Sequence, residues 1–171
     1  MQREEVQNIV PVMTAKKIAE MIKTGSRTTE ILTGSRDLVR YLSDSNLYPI
    51  QAKLSEIGAV YDYVLKSVRY TSDPSGVEYV SSPSRIQSSI NKLGKAAGDC
   101  DDIACIVGAY LYSLGHRVRI VLVSFIPNGE FQHVFIESYV KNLGWLTVDP
   151  STYPHTKKML SQIKRTQFFE V

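Results

Sequence analysis

Hydrophobic spacing divides the chain into a helical first half and a strand-rich second half. TAKKIAEMIKTG carries a helix, with Thr14 as a cap candidate and Gly25 as a stop. Thr28 to Leu42 reads as a second helix, interrupted by Gly34. Pro49 to Tyr70 is the clearest helical segment. Its apolar residues Leu54, Ile57, Val60, Tyr61, Val64 and Val68 recur at helical spacing, and Pro49 suits a first turn. The stretch 71–85, TSDPSGVEYVSSPSR, is rich in turn formers and reads as a loop. Tyr70 to Arg85 could act as a flap over a cleft. Ser82-Pro83 then opens a short helix to about Leu93, and KAAG leads into GDCDD, residues 98–102.

From Cys100 to Leu114 the pattern is that of a buried helix, closed by Gly115. Cys100, Ile103, Ala104, Val107, Leu111 and Leu114 form one apolar stripe, expected to face a sheet. Cys105 falls off that line and reads as a small buried filler. The period then shortens to two. RVRIVLVSF (117–125), FQHVFIESYV (131–140) and WLTVD (145–149) are strands, joined by turns at 127–130 and 141–144, and Pro150 ends the last. A helix followed by a three-stranded antiparallel meander makes an α+β fold. The expected division is a helical N-terminal extension, 1–48, ahead of a core domain, 49–171.

Composition adds limits. At 171 residues with net charge +3 the chain is one domain in size, and its basicity falls short of a nucleic-acid footprint. The run Lys157, Lys158, Lys164 and Arg165 reads as a solvated helix face or tail. The two cysteines lie too close on one helix to bridge, which suggests a reducing, cytoplasmic setting. The N-terminus shows no signal-peptide pattern, and no apolar run is long enough to span a membrane.

The chemistry gathers around Cys100. Asp99 is a good N-cap, which makes Cys100 the first helical residue and lets Asp102 close a capping box. A helix start favours a thiolate, while three neighbouring acids oppose it, so a nearby imidazolium would decide the balance. Of three histidines, His116 lies at the far end of the helix, where a cation suits the dipole. His155 sits in a loop. His133 lies mid-strand, and the turn at 141–144 folds Asp149 back to the same face as a direct or diagonal neighbour. An aspartate there can hold the imidazole in one tautomer. The result is a thiol, a histidine and a carboxylate in that chain order. The same three residues could ligate zinc, but no close ligand pair of the usual spacing supports a metal, and none is expected.

GDCDDIACIVGAYLYSLGHRVRIV, FQHVFIESY and GWLTVDPS together resemble the transglutaminase-like superfamily, with its papain-like catalytic arrangement, over about residues 60 to 153. The lead-in VRYTSDPSGVEYVSSPSRI resembles the form carried by phages and prophages. The resemblance implies that Cys100 is the nucleophile, His133 the base and acid, and Asp149 the orienting residue, without a cofactor. It implies a thioester formed from an amide. One oxyanion donor would be the Cys100 backbone N–H, the other a side chain upstream of it, with Tyr79, Gln87 and Asn91 as candidates. Water would resolve the thioester in a peptidase or amidase, and a lysine amine in a cross-linking enzyme. The substrate is then a protein or peptide amide, with no nucleic-acid or membrane partner. A non-enzymatic phage scaffold or adaptor, docking a phage or host protein through its N-terminal helices and virion-associated, is the other class of reading.

Overall fold

The computed structural model describes residues 4–6, 11–42, 49–73 and 78–171. In order these form β1 (Glu4–Val6), α1 (Pro11–Gly25), α2 (Thr29–Val39), a 3₁₀ turn (Arg40–Leu42), α3 (Pro49–Ser67), β2 (Val68–Tyr70), β3 (Glu78–Val80) and α4 (Pro83–Leu93). They continue as β4 (Ala96–Gly98), α5 (Cys100–Ser113), β5 (Val118–Ser124), β6 (His133–Val140), β7 (Gly144–Val148), a 3₁₀ turn (Pro150–Thr152), α6 (Thr156–Ser161) and β8 (Arg165–Glu170). The architecture is α+β, a helical layer packed on an antiparallel sheet.

α5 is the axis of the molecule. Every residue from Asp102 to Leu111 is buried, because α1 to α4 surround the helix on the sides the sheet leaves open. The stripe expected to face the sheet is therefore only one side of a helix that is apolar almost all round, as full burial requires. Ala15, Ile18, Ile22 and Ile31 of α1 and α2 share one core with Ile106 and Val107 of α5 and Ile120 of β5. The boundary expected at residue 48 thus separates no second core among the described residues.

The main sheet has the order β7-β6-β5-β8, antiparallel throughout. The C-terminal segment, expected as a solvated helix face or tail, instead supplies α6 and then β8. RTQFFE pairs with β5, Val121 opposite Phe168, and so extends the meander to four strands. One face of the sheet packs Val134, Ile136, Ile120 and Leu122 into the main core. The other carries Val121, Val123 and Phe135 under Met159 of α6.

Other differences have local causes. α1 begins at Pro11, so Thr14 is buried inside the helix rather than capping it, and its hydroxyl has no partner among the described residues. Gly34 stays within α2 because the Tyr110 hydroxyl packs against it, leaving no room for a Cβ. Helix α3 stops at Ser67, and residues 68–70 turn into β2, which pairs in parallel with β4. Leu54, expected in the core, is 38% exposed. The expected loop 71–85 holds β3, paired with β1, while residues 74–77 of the supposed flap lie outside the described residues.

Candidate active site

Two parallel strands of three residues each set the position of the thiol. Val68, Arg69 and Tyr70 pair with Ala96, Ala97 and Gly98, and Thr71 N–H donates to the Gly98 carbonyl at 2.9 Å. β4 therefore delivers the chain to α5 in a fixed direction. Asp99 caps the helix as expected, its Oδ1 accepting from the N–H groups of Asp101 (3.1 Å) and Asp102 (3.5 Å). The cap leaves the N–H of Cys100, the first helical residue, pointing out of the helix end. Asp102 does not close a capping box. Its buried carboxylate accepts from Ser81 N–H at 2.6 Å and packs over Gly98, where a side chain would collide with it. It ties the thiol-bearing turn to the strand leading into α4.

The second half of the site comes from β6 and β7. The β6–β7 register pairs Ile136 with Val148, so Phe135 lies one step on, opposite Asp149, and His133 is its diagonal neighbour. His133 Nε2 meets Asp149 Oδ2 at 2.8 Å. Asp149 is 2% exposed and fully engaged. Its Oδ1 accepts from Ser151 N–H (3.1 Å) and Ser151 Oγ (2.5 Å), and its Oδ2 also accepts from Thr152 Oγ1 (3.0 Å). A carboxylate held this way fixes the imidazole plane and leaves Nδ1 as the nitrogen turned to other chemistry.

The thiol meets β6 at the next residue. Tyr139 N–H donates to the Arg117 carbonyl, so odd-numbered residues of β6 turn their N–H groups to β5 and even-numbered ones to β7. β7 pairs no further than Val148, and the residue that would face Val134 is Pro150, already in a 3₁₀ turn. The Val134 N–H is thereby released from the ladder, and it donates to the Cys100 sulfur. Cys100 is thus set against the backbone of the residue that follows His133, where β7 ends.

Electrostatics at the thiol oppose ionisation. Burial pushes the Cys100 thiol well above its usual range, and the charges of Asp101 and Asp99 push it further, against the Val134 N–H, which favours the thiolate. The thiol donates to Asp101 Oδ1 at 3.7 Å. Asp99 is itself raised to about 6 by burial and by Asp102 and Asp73. The positive end of α5 does not by itself make a thiolate here. Cys100 Sγ and the Asp99 and Asp101 carboxylates lie within 4.8 Å of one another. Both carboxylates are already engaged, one as the helix cap and one by the thiol.

Tyr70, absent from the expected site, lies at it. Its register position is opposite Gly98, and its phenol is raised by burial and then by the nearby Cys100, with Asp99 and Asp101 also close. It is 50% exposed, and its phenol also takes part in a side-chain hydrogen bond with Ser72. No sequence signal marked it, because parallel pairing between segments 28 positions apart leaves no local trace.

Two of the other expected donors, Gln87 and Asn91, lie elsewhere. Gln87 belongs to a buried network: its Oε1 accepts from Tyr110 Oη (2.5 Å), and its Nε2 donates to Tyr63 Oη (2.8 Å) and Asn91 Oδ1 (2.7 Å). Tyr110 is ten residues along α5 from Cys100, about 15 Å, so neither Gln87 nor Asn91 serves the thiol. Tyr79 is bound through its N–H to Asp73 Oδ2. Cys105 is fully buried, as expected. His116 is not an exposed residue at the helix end. It is buried, with Nε2 2.8 Å from Glu56 Oε2 and Nδ1 3.1 Å from Ser138 Oγ, and burial, helped by Lys53, lowers its pKa.

The family profile of the transglutaminase-like superfamily matches residues 39–150, and the chain belongs to that superfamily. The match is to the superfamily as a whole. Among solved structures, the fold is similar to a candidate protease from Parabacteroides distasonis ATCC 8503 (TM-score 0.61, 14% identity), over 92% of this chain and 29% of that one. A candidate cysteine protease from Cytophaga hutchinsonii aligns at TM-score 0.48 and 17% identity, over 79% of this chain and 45% of that one. The chain therefore spans under half the length of either. No curated protein sequence matches it. No helix among the described residues is long and apolar enough to cross a membrane.

Proposed function

We propose that the chain is a cysteine peptidase or amidase, forming and hydrolysing a thioester at Cys100. The observation that carries this reading is the His133–Asp149 pair, 2.8 Å apart, placed where β7 ends and beside the strand residue that contacts the thiol. At rest the thiol keeps its proton, so attack is concerted with proton transfer rather than launched from a preformed thiolate. His133 Nδ1 takes the thiol proton as Sγ bonds to the amide carbon. The oxyanion is met by the Cys100 N–H and by the Tyr70 hydroxyl. The C–N bond then breaks, the amine leaves with the proton from His133, and the thioester remains. Water, losing a proton to the same nitrogen, attacks the thioester and restores the thiol, releasing a carboxylic acid.

The raised thiol favours a non-enzymatic protein instead. The experiment is to incubate the chain with a peptide-amide mixture and count free-acid products by mass spectrometry, with and without added primary amine. The reading expects acid products in both, lost in Cys100→Ala and His133→Ala. Amine adducts replacing acid would make it a cross-linking enzyme. No product from the wild-type chain would favour the scaffold reading.

A further inference from the structure

A groove of about 480 Å³ runs along the strands that carry the nucleophile, and its charge is of one sign. Arg69 of β2, Arg85 of α4 and Lys95, just before β4, line it, and no carboxylate among the described residues does. Arg69 and Lys95 are exposed and form no ion pair among the described residues. The groove also has an apolar wall: Ile86, and Leu93, which is 79% exposed at the end of α4. Its floor is Ala96 and Ala97, three residues or fewer upstream of Asp99. At about 3.3 Å per residue, Ala97 stands about 10 Å from Cys100, a distance spanned by about three residues of extended peptide.

We propose that this groove is a subsite for an acidic residue of the peptide substrate, about three residues from the amide that Cys100 attacks. The proposal rests on the acyl-transfer reading and adds a specificity to it. Two cations with no ion-pair partner among the described residues, in a concave site, favour a carboxylate. The apolar wall favours a carboxylate carried on a chain, since a free inorganic anion would use the cations and leave the exposed Leu93 uncovered. The volume lies within the range of sites that hold a few residues or a small ligand. The acids around Cys100 complete the selectivity by repelling a second acidic residue at the reaction centre, which orients the peptide along the groove.

The test uses the full chain carrying Cys100→Ala, ¹⁵N-labelled, so that binding is read without turnover. Acetylated tetrapeptide amides with one Glu, with Gln in its place, or with phosphoserine are titrated, and inorganic phosphate is a fourth probe. The expected result is saturable shifts at the Ser89, Lys95, Ala96 and Ala97 amides for the Glu peptide, with the Gln peptide about fivefold weaker. Adding Arg69→Gln and Lys95→Gln together should weaken the Glu peptide about tenfold and leave the Gln peptide unchanged. Both substituted side chains are exposed, and a wild-type-like spectrum confirms the fold of the variant. Shifts confined to other residues, or Glu binding untouched by the double substitution, overturn the subsite. Inorganic phosphate binding as tightly as the Glu peptide, or phosphoserine binding far more tightly, overturns the assignment to an acidic side chain. A chain with the expected binding but no turnover would keep the groove and discard the peptidase, so the two failures are distinct.

Discussion

Replacing Asp101 by Asn tests whether the acids around Cys100 hold the thiol protonated. The side chains keep nearly the same shape, so the change removes a charge without opening space. Cys100 Sγ lies 3.7 Å from Asp101 Oδ1. At that separation two unit charges repel by about 1 kcal/mol in bulk water and about 4 kcal/mol at an effective dielectric near 20. Asp101 is only partly buried, so the low end of this range applies. About 1.4 kcal/mol corresponds to a factor of ten in the equilibrium, so the thiolate fraction at neutral pH should rise about five- to tenfold. The sign follows from the charge: losing a negative neighbour favours the thiolate, so the rate–pH curve moves to lower pH. The assay is iodoacetamide alkylation from pH 6 to 10, followed by peptide mass spectrometry, with the fully buried Cys105 as an internal control. Wild-type Cys100 should titrate above an ordinary thiol, near 8.5. An unchanged curve in Asp101→Asn, or a wild-type thiol already reactive at pH 6, would refute the electrostatic account.

Asp99→Asn keeps a good cap while removing a carboxyl that prefers to be protonated when folded. The folded value of about 6 against an unfolded 3.8 means that unfolding releases the proton first, so wild-type stability falls as pH rises from about 4 to 6 and is level above. The variant should be about 1–2 kcal/mol more stable at pH 7, after allowance for partial solvent screening, and equal at pH 3.5 to 4, as read by urea melts. An offset that is the same at both pH values contradicts it. Tyr70→Phe should lower kcat about ten- to hundredfold with little change in KM if the phenol meets the oxyanion, and a rise in KM alone would assign it to ground-state binding. Gly34→Ala forces a methyl group onto the Tyr110 hydroxyl and should cost about 1–3 kcal/mol, and a neutral denaturation midpoint would mean α2 shifts freely.

What could be read from the sequence was local or of short range. α5 is marked by Asp99, a continuous apolar run and Gly115, and the β6–β7 hairpin by its alternation and its four-residue turn, where Asn142 and Gly144 take positive φ. Hairpin parity alone puts His133 and Asp149 on one face as direct or diagonal neighbours, and the observed register makes them diagonal. What was not legible depends on distant partners. β2 and β4 are three residues each and pair across 28 positions, too short and too remote to show a period. They position both Tyr70 and the groove. β8 pairs with a strand more than forty residues earlier and follows a basic run that masks its alternation. Gln87 and His116 look like ordinary helix and loop residues in sequence. Only the packing of α3 and α4 on α5, and of α3 on β6, reveals Gln87 as a bridge to Tyr63 and Tyr110, and His116 as a bridge from Glu56 to Ser138.

The central claim is that His133, held by Asp149, takes the proton of Cys100 during attack on an amide. The most direct measurement is an acid quench of the chain mixed with an activated acyl amide, followed by intact and peptide mass spectrometry. The account predicts an acyl adduct on Cys100 that forms in the wild-type chain, falls at least about a hundredfold in rate in His133→Ala, and is absent in Cys100→Ala. An adduct that forms at the same rate in His133→Ala, or on another residue, would contradict it.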